Sequence, residues 1–587
     1  MKKRSEIEEK FKWDLSGYFK NDDEFKKEFD DLKSQVHFLD EYKGKLNNEK
    51  TILECLRKSE AFDQRLEVLY VYATLKTRED AANSFYQERA TQVGSLLSQI
   101  STQTSFVGVE IKKNPNSLLE KLQKESEFKN YFKSILRNKK HILSEKEEKI
   151  LSMSGDMAGG FSDNFDLFDD ADLKFPSVKD SNGKMHKLNH SSYMALMQSE
   201  DRTLRKNTLK KFNGQYGKFN NFLASNYISN IKADVFYAKA SKYKNCLDKS
   251  IYLEEASRKV YDTLIDSINN NLSVFYEYFD VKRESQGLSE FALYDQYVKE
   301  KSIKKKYTFD EAIEIIKKAT APLGSFYTRL IDKAVKERWI DIYPNENKDS
   351  GAFSWGAYGK NPVLLTNFIG DSNSVFTLAH ELGHSMHSYF SNSNLNPDQA
   401  PYTIFVAEVA STVNEMLLLK YFLENSKNND EKIYYYDYFL SEFKSTVFRQ
   451  TMFSEFEQFA HETFEKGNPI SAQILNEKYY QLNKKYFGKN VKFIPEIKYE
   501  WSRIPHFYNS FYVYKYAIGM ISAVYLVEKI IPQTPERYIS FLKSGSTKPP
   551  IELLFDAGVD LNKKETFNHA FDCVEKMLQN WKNLLKK

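Results

Sequence analysis

The sequence predicts a mainly α-helical fold in at least two lobes with one small sheet, and three observations carry that prediction. The first 114 residues contain no proline and only four glycines, while Phe62, Leu66, Leu69 and Ala73 recur at the spacing of one helix face. Two later segments, around Leu378–Met386 and Phe405–Glu415, are apolar with helical period. The length, 587 residues, exceeds what one hydrophobic core usually encloses.

Taken in order, the elements divide at about residue 195. Residues 1–195 read as an N-terminal helical lobe ending in a β-hairpin region. Its turn is Ser181-Asn182-Gly183, because Asn-Gly accepts the positive φ of a tight turn. From Asp201-Arg202-Thr203-Leu204-Arg205 the chain returns to long helices, and Thr308-x-x-Glu311 is a capping box that starts one of them. Residues 196–587 read as a catalytic domain. Within it, Pro362–Phe368 is a short apolar run between glycine-bearing loops and reads as a strand. Proline at its start favours an edge or a strand terminus, and an edge strand can hold an extended peptide through its main chain. Lys304-Lys305-Lys306 reads as a solvated face. The acidic run Asp163 to Asp172 lacks the glycine and closing glutamate of a calcium loop and reads as exposed.

Composition narrows the function classes. Lysine plus arginine number 85 against 81 acidic residues, a net charge of +4, too balanced to suggest nucleic-acid binding. Cys55, Cys246 and Cys573 are far apart and odd in number, as expected of reduced thiols in a cytoplasmic protein. The basic N-terminus is followed by no apolar stretch, so no secretory signal is expected. The apolar run Tyr516–Val527 is too short to span a membrane.

The chemistry concentrates in His380-Glu381-Leu382-Gly383-His384. Histidines at i and i+4 share a helix face and can grip one metal ion, and the glutamate beside them can take a proton from a water that the metal acidifies. Gly383 disfavours a helix interior, which implies close approach of another backbone or of substrate. A third ligand is required. Glu408 is the conspicuous charge in the small, apolar segment Phe405–Glu415, and an unpaired buried carboxylate is costly unless it binds metal. Glu415 lies two turns on, placed either to accept the free N–H of a ligating histidine or to form a simple ion pair. His387 lies roughly 10 Å along the axis from His380, too far to share the ion, and is expected to pack or to face substrate. The position of a metzincin's third histidine is Phe390 here. Far downstream, Arg503–Tyr516 gathers His506 with Tyr508, Tyr512 and Tyr516 at helical spacing, either a core stripe or a set of donors for an oxyanion.

On these motifs the chain resembles oligoendopeptidase F, a branch of the thimet-oligopeptidase-like zinc metallopeptidases. The resemblance rests on Phe376–Ser388, on Phe405–Thr412 and on Ile504-Pro505-His506-Phe507-Tyr508, and extends to Trp13-Asp14-Leu15 and Asp172–Pro176. It implies a two-lobed helical clamshell whose deep channel admits short unfolded peptides, with a small β-sheet beside the zinc-binding helix. It implies one Zn2+ ion on His380, His384 and Glu408, with Glu381 as general base and then proton donor. His506 and Tyr508 would hold the substrate carbonyl and the oxyanion, with Tyr512 a further candidate. Because Phe511 and Lys515 fall where a simple register expects tyrosines, the choice among Tyr508, Tyr512, Tyr514 and Tyr516 stays open. The implied activity is zinc-dependent endopeptidase cleavage of oligopeptides; the alternative is a dipeptidyl-carboxypeptidase-type exopeptidase, with Arg503 or Lys515 reserved for the substrate carboxylate.

Overall fold

The computed structural model describes residues 2–586. Helices carry most of them, and the strands form only three small sheets. Two compact units divide the chain: Met1–Lys140 with Lys304–Tyr421 and Leu526–Gly558, and His141–Ile303 with Phe422–Tyr525 and Val559–Lys587. No helix of the described residues is long and apolar enough to cross a membrane.

The first unit is built on two long neighbouring helices, Glu49–Glu79 and Ser84–Lys112. Each starts at an asparagine, Asn48 and Asn83, whose side chain accepts a backbone N–H of the first turn. The predicted stripe Phe62, Leu66, Leu69 and Ala73 is buried, in one core with Trp13, Val363 and Leu365. The N-terminal segment joins this core because Trp13 donates its indole N–H to Glu79 (2.6 Å) and because the Ile342 N–H reaches the Phe11 carbonyl (3.1 Å).

That core reaches a three-stranded sheet of Ile340–Asp341, Val363–Leu365 and Phe353–Trp355. The strand expected at Pro362–Phe368 is present as Val363–Leu365, but it is central, parallel to Ile340–Asp341 and antiparallel to Phe353–Trp355. The edge reading is therefore corrected. Pro362 stands just before the strand, where its missing N–H costs no ladder bond. The edge nearest the histidine helix is Phe353–Trp355, inside what the glycines Gly351, Gly356 and Gly359 mark as loop; its Ser354 Oγ lies 2.7 Å from Ser385 Oγ.

The capping box at Thr308 forms as expected, with Thr308 Oγ1 accepting from the Glu311 N–H and Glu311 accepting from the Thr308 N–H. In the second unit the hairpin forms too. Val178–Lys179 pairs antiparallel with Met185–His186, and Gly183 takes φ +82° in its turn. The core of this unit also buries an ion cluster, in which Arg449 and Arg503 each donate to Glu500 Oε1 at 2.8 Å while the Tyr479 hydroxyl donates to Oε2 at 2.8 Å.

Candidate active site

Two helices, whose site residues all lie in the first unit, assemble the metal site. Ser372–Asn394 starts at Asp371, whose carboxylate accepts the Ser374 N–H (2.8 Å), and carries His380, Glu381 and His384. Ile404–Asn425 carries Glu408 and Glu415. The helices cross at Gly383: a Cβ there would meet the Ala410 carbonyl oxygen and Ser411 Cα at 2.7 Å each. The glycine is thus the condition for contact. The buried Asn414 ties the pair together, donating to the Ala379 carbonyl (3.0 Å) while accepting from the Tyr327 hydroxyl (2.8 Å).

The contact brings His380, His384 and Glu408 together as a group that could hold a metal. His380 Nε2 and His384 Nε2 are 3.1 Å apart, and Glu408 Oε2 lies 3.7 and 3.9 Å from them. A triangle with these sides has its centre about 2.1 Å from every corner, the bond length that zinc makes to imidazole nitrogen and carboxylate oxygen. His380 Nδ1 is hydrogen-bonded to Glu415, a partner that keeps a proton on Nδ1 and so makes Nε2 the nitrogen that would bind an ion at the centre. A cation at that centre would take the place of a proton between the two Nε2 atoms, and two imidazoles with one carboxylate are donors that zinc prefers, so the donor set fits the ion.

Burial pulls His380 down, but the hydrogen bond and charge of Glu415 outweigh it and bring the ring to about 9. Burial, with the neighbouring His380, holds His384 down at about 3 and so keeps it neutral. Glu381 is buried on the same helix. Burial pushes its carboxyl up to about 7, opposed by His380 and aided by Glu408 and Glu415. The Ser354 N–H of the edge strand also faces Glu381, a link that the sequence reading missed. The Gly351 and Gly356 flanks around the alternating Phe353-Ser354-Trp355 were the available signal. His387 is packed: its ring stacks on Tyr402 at 3.7 Å and lies near Phe541.

His506, Tyr508 and Tyr512 belong to the second unit. Pro505–Tyr508 is a short helical turn that carries His506 and Tyr508, Tyr512 lies in the link after it, and the helix Tyr514–Tyr525 follows, so the three side chains do not share one continuous helix face. This corrects the expected i, i+4, i+8 stripe. The chain turns back at Phe511, a non-glycine residue at φ +59°, so that Tyr512 lies over His506 with ring centres 6.1 Å apart. Burial lowers His506 and favours the neutral imidazole. Tyr508 stacks on Phe165 (4.9 Å) and its oxygen accepts from Asn226 Nδ2 (3.0 Å), which leaves the phenol proton free to donate. Burial raises its pKa further above the ordinary value.

Similarity to known proteins extends over the whole chain. A profile of Oligopeptidase F matches residues 110–175, and one of Peptidase family M3 matches residues 195–573. Oligopeptidase PepF of Bacillus subtilis is 37% identical, with all of this chain and 88% of that protein covered. The oligoendopeptidase F homolog of Lactococcus lactis is 34% identical, covering 100% and 99%. Among solved structures, oligoendopeptidase-F from Enterococcus faecium superposes with a TM-score of 0.74 at 31% identity, covering 96% and 99%. A Chlamydophila abortus structure reaches 0.94 at 34% identity, covering 99% and 100%. With that match over most of its length, full-length relatives above 30% identity and two histidines and one carboxylate that could hold a metal, the chain belongs to peptidase family M3, a family of metal-dependent peptidases.

Proposed function

We propose that the protein is a zinc endopeptidase that hydrolyses internal bonds of short, unfolded oligopeptides. The observation that carries the reading is the convergence of His380 Nε2, His384 Nε2 and Glu408 Oε2 around one point, with the buried Glu381 adjoining them. A zinc ion held there supplies a Lewis acid that polarises the scissile carbonyl and acidifies a water. Glu381 takes the proton of the attacking water and passes it to the departing amine, a task suited to a carboxyl that burial has raised towards neutrality. Glu415 holds the His380 tautomer. His506 and Tyr508 donate to the substrate carbonyl and the oxyanion, and Tyr512 lies against His506 as a further donor.

The edge strand Phe353–Trp355 supports recognition through the peptide main chain, since its outer side carries no partner strand among the described residues. The endopeptidase reading is preferred to the carboxypeptidase alternative because both cations considered for a terminal carboxylate have internal partners. Arg503 is bonded to Glu500, and Lys515 to Glu254. The names of the oligoendopeptidase relatives support the same choice. A functional division into residues 1–195 and 196–587 is supported by the start of the family match at residue 195. A cytoplasmic setting, with no membrane or nucleic-acid partner, is supported by three buried cysteines far apart in the sequence and by the balanced charge.

The test is cleavage of a short quenched fluorescent peptide blocked at both ends, with and without chelator, followed by zinc add-back and with a folded protein as control. Chelator-sensitive cutting that zinc restores, with the folded control intact, is expected. Cutting only when an end is unblocked would replace the reading with the exopeptidase.

A further inference from the structure

The second unit contains a polar cluster, buried at Glu457 and His461 and partly exposed at Asp234 and Ser510, that the proposed chemistry does not use, formed where the helices Asn220–Ala240 and Arg449–Glu465 meet the loop after His506. Asp234 Oδ2 accepts from the Ser510 hydroxyl (2.6 Å) and lies 3.1 Å from His461 Nε2. His461 Nδ1 is 2.9 Å from the Glu457 carbonyl one helical turn back. Glu457, fully buried, accepts the Phe511 N–H on Oε1 (2.9 Å), whereas its Oε2 has no hydrogen-bond partner among the described residues. The Phe511 ring packs on His461 at 4.8 Å. Asn226 holds Tyr508 from the same helix as Asp234.

The serine, histidine and aspartate do not form a nucleophile relay. One aspartate oxygen serves both Ser510 and His461, and the far side of the imidazole faces a helix carbonyl instead of a carboxylate. Burial lowers His461, but its bond to Asp234 raises it further, and with both ring nitrogens engaged the imidazole is fixed in place. What the cluster grips is the loop. Three of its residues, Tyr508, Ser510 and Phe511, are held from two helices, and the last takes a left-handed backbone that a bulky L-residue disfavours unless its surroundings impose it. A residue of that conformation reverses the chain, which returns Tyr512 to the face of His506.

We propose that Glu457 is a positioning residue for peptide hydrolysis: by holding the Phe511 N–H it imposes the left-handed turn that presents His506, Tyr508 and Tyr512, with the Asp234–Ser510 bond as a second clamp on the same loop. The inference rests on the proposed role of that loop as the donor set for the oxyanion. Donors aimed at the transition state act on kcat, so misplacing them lowers kcat more than it raises KM. Burial pushes the Glu457 carboxyl up to about 8, so glutamine is close to its neutral form and keeps an acceptor for the Phe511 N–H.

The experiment compares Glu457→Leu, Glu457→Gln, Ser510→Ala and His506→Ala in the full-length, zinc-loaded protein, reading kcat, KM, metal content and circular dichroism. Glu457→Leu is expected to lose roughly ten- to hundredfold in kcat with little change in KM, and Ser510→Ala less, while Glu457→Gln recovers most of it. If Glu457→Leu does not fold, Ser510→Ala decides, since Ser510 is partly exposed and its loss leaves the core intact. Wild-type kcat in Ser510→Ala and Glu457→Leu, with His506→Ala impaired, overturns this inference alone. Equal loss in Glu457→Gln and Glu457→Leu also overturns it, because the acceptor would then not matter. Wild-type kcat in His506→Ala removes the donor reading of the loop itself.

Discussion

Replacing Gly383 by alanine tests whether helix contact builds the metal site. The new methyl would stand 2.7 Å from the Ala410 carbonyl oxygen and from Ser411 Cα, and 3.0 Å from Ser411 N. Ordinary contact for a Cβ begins at 3.4 Å, so the helices must part by about 0.7 Å, and the obstacle is backbone that cannot rotate away. Glu408 lies less than one turn before Ser411 and moves with it. Metal ligands tolerate displacements of only about 0.2 Å, so the third donor is lost or strained while the histidines stay. Overpacking costs about 1–3 kcal/mol, and the better helix propensity of alanine returns about 1 kcal/mol of it. Global stability therefore falls little, whereas zinc affinity falls roughly tenfold or more, as for perturbed metal shells generally. Competition against a chromophoric chelator measures the affinity, and thermal melting of the apo protein measures the fold. Gly94→Ala is the control, because a Cβ there meets nothing within 4 Å. Zinc affinity in Gly383→Ala within twofold of wild type would refute the argument that helix contact sets the ligand geometry.

Three further outcomes are expected. Glu415→Ala frees His380 Nδ1 and should weaken zinc binding roughly ten- to hundredfold in the same competition assay; unchanged affinity would assign Glu415 to the simple ion pair. Glu381→Gln should bind zinc normally yet lose at least about 10²-fold in kcat, because an amide accepts no proton; near-normal turnover in the loaded variant would remove Glu381 as the base. In the second unit, burial alone would raise Glu500, but Arg449 and Arg503 hold it down at about 2, below its ordinary value of 4.5. A depressed carboxylate contributes stability that is complete above the unfolded pKa and is lost as pH falls through the folded one. Wild-type melting temperature should therefore drop more steeply than that of Glu500→Gln between pH 4.5 and about 2, and parallel curves would contradict the ion cluster.

Local rules made the metal site legible in the sequence, whereas the loop on the second unit was legible only in its residue types. His380 and His384 meet because the helix repeat places i and i+4 together, and Gly383 pointed to a close neighbour because glycine inside a helix is otherwise unfavourable. The charge of Glu408 in an apolar stretch marked it out. Each of these inferences needs only one element's geometry. Of the sheet reading, the strand and the proline at its terminus held, and the edge placement failed where two elements had to be paired: Pro362 says that its own N–H makes no bond, and it says nothing about whether the next three residues acquire a second neighbour. Asn414 and Ser354 escaped notice for the same reason, since their partners, Tyr327 and Ala379 in one case and Glu381 in the other, are distant in sequence.

The tyrosine stripe failed for a different reason, the conformation of a single residue. Helical spacing from Tyr508 to Tyr516 assumes helical φ throughout, and Phe511 at +59° breaks that assumption without any glycine to announce it. The strain is sustained from outside the segment, by a carboxylate and an imidazole on the helix Arg449–Glu465. The sequence read as a continuous helix because the residues that forbid one lie about fifty positions upstream, which is also why the loop's geometry should respond to Glu457, a residue with no place in the reaction itself.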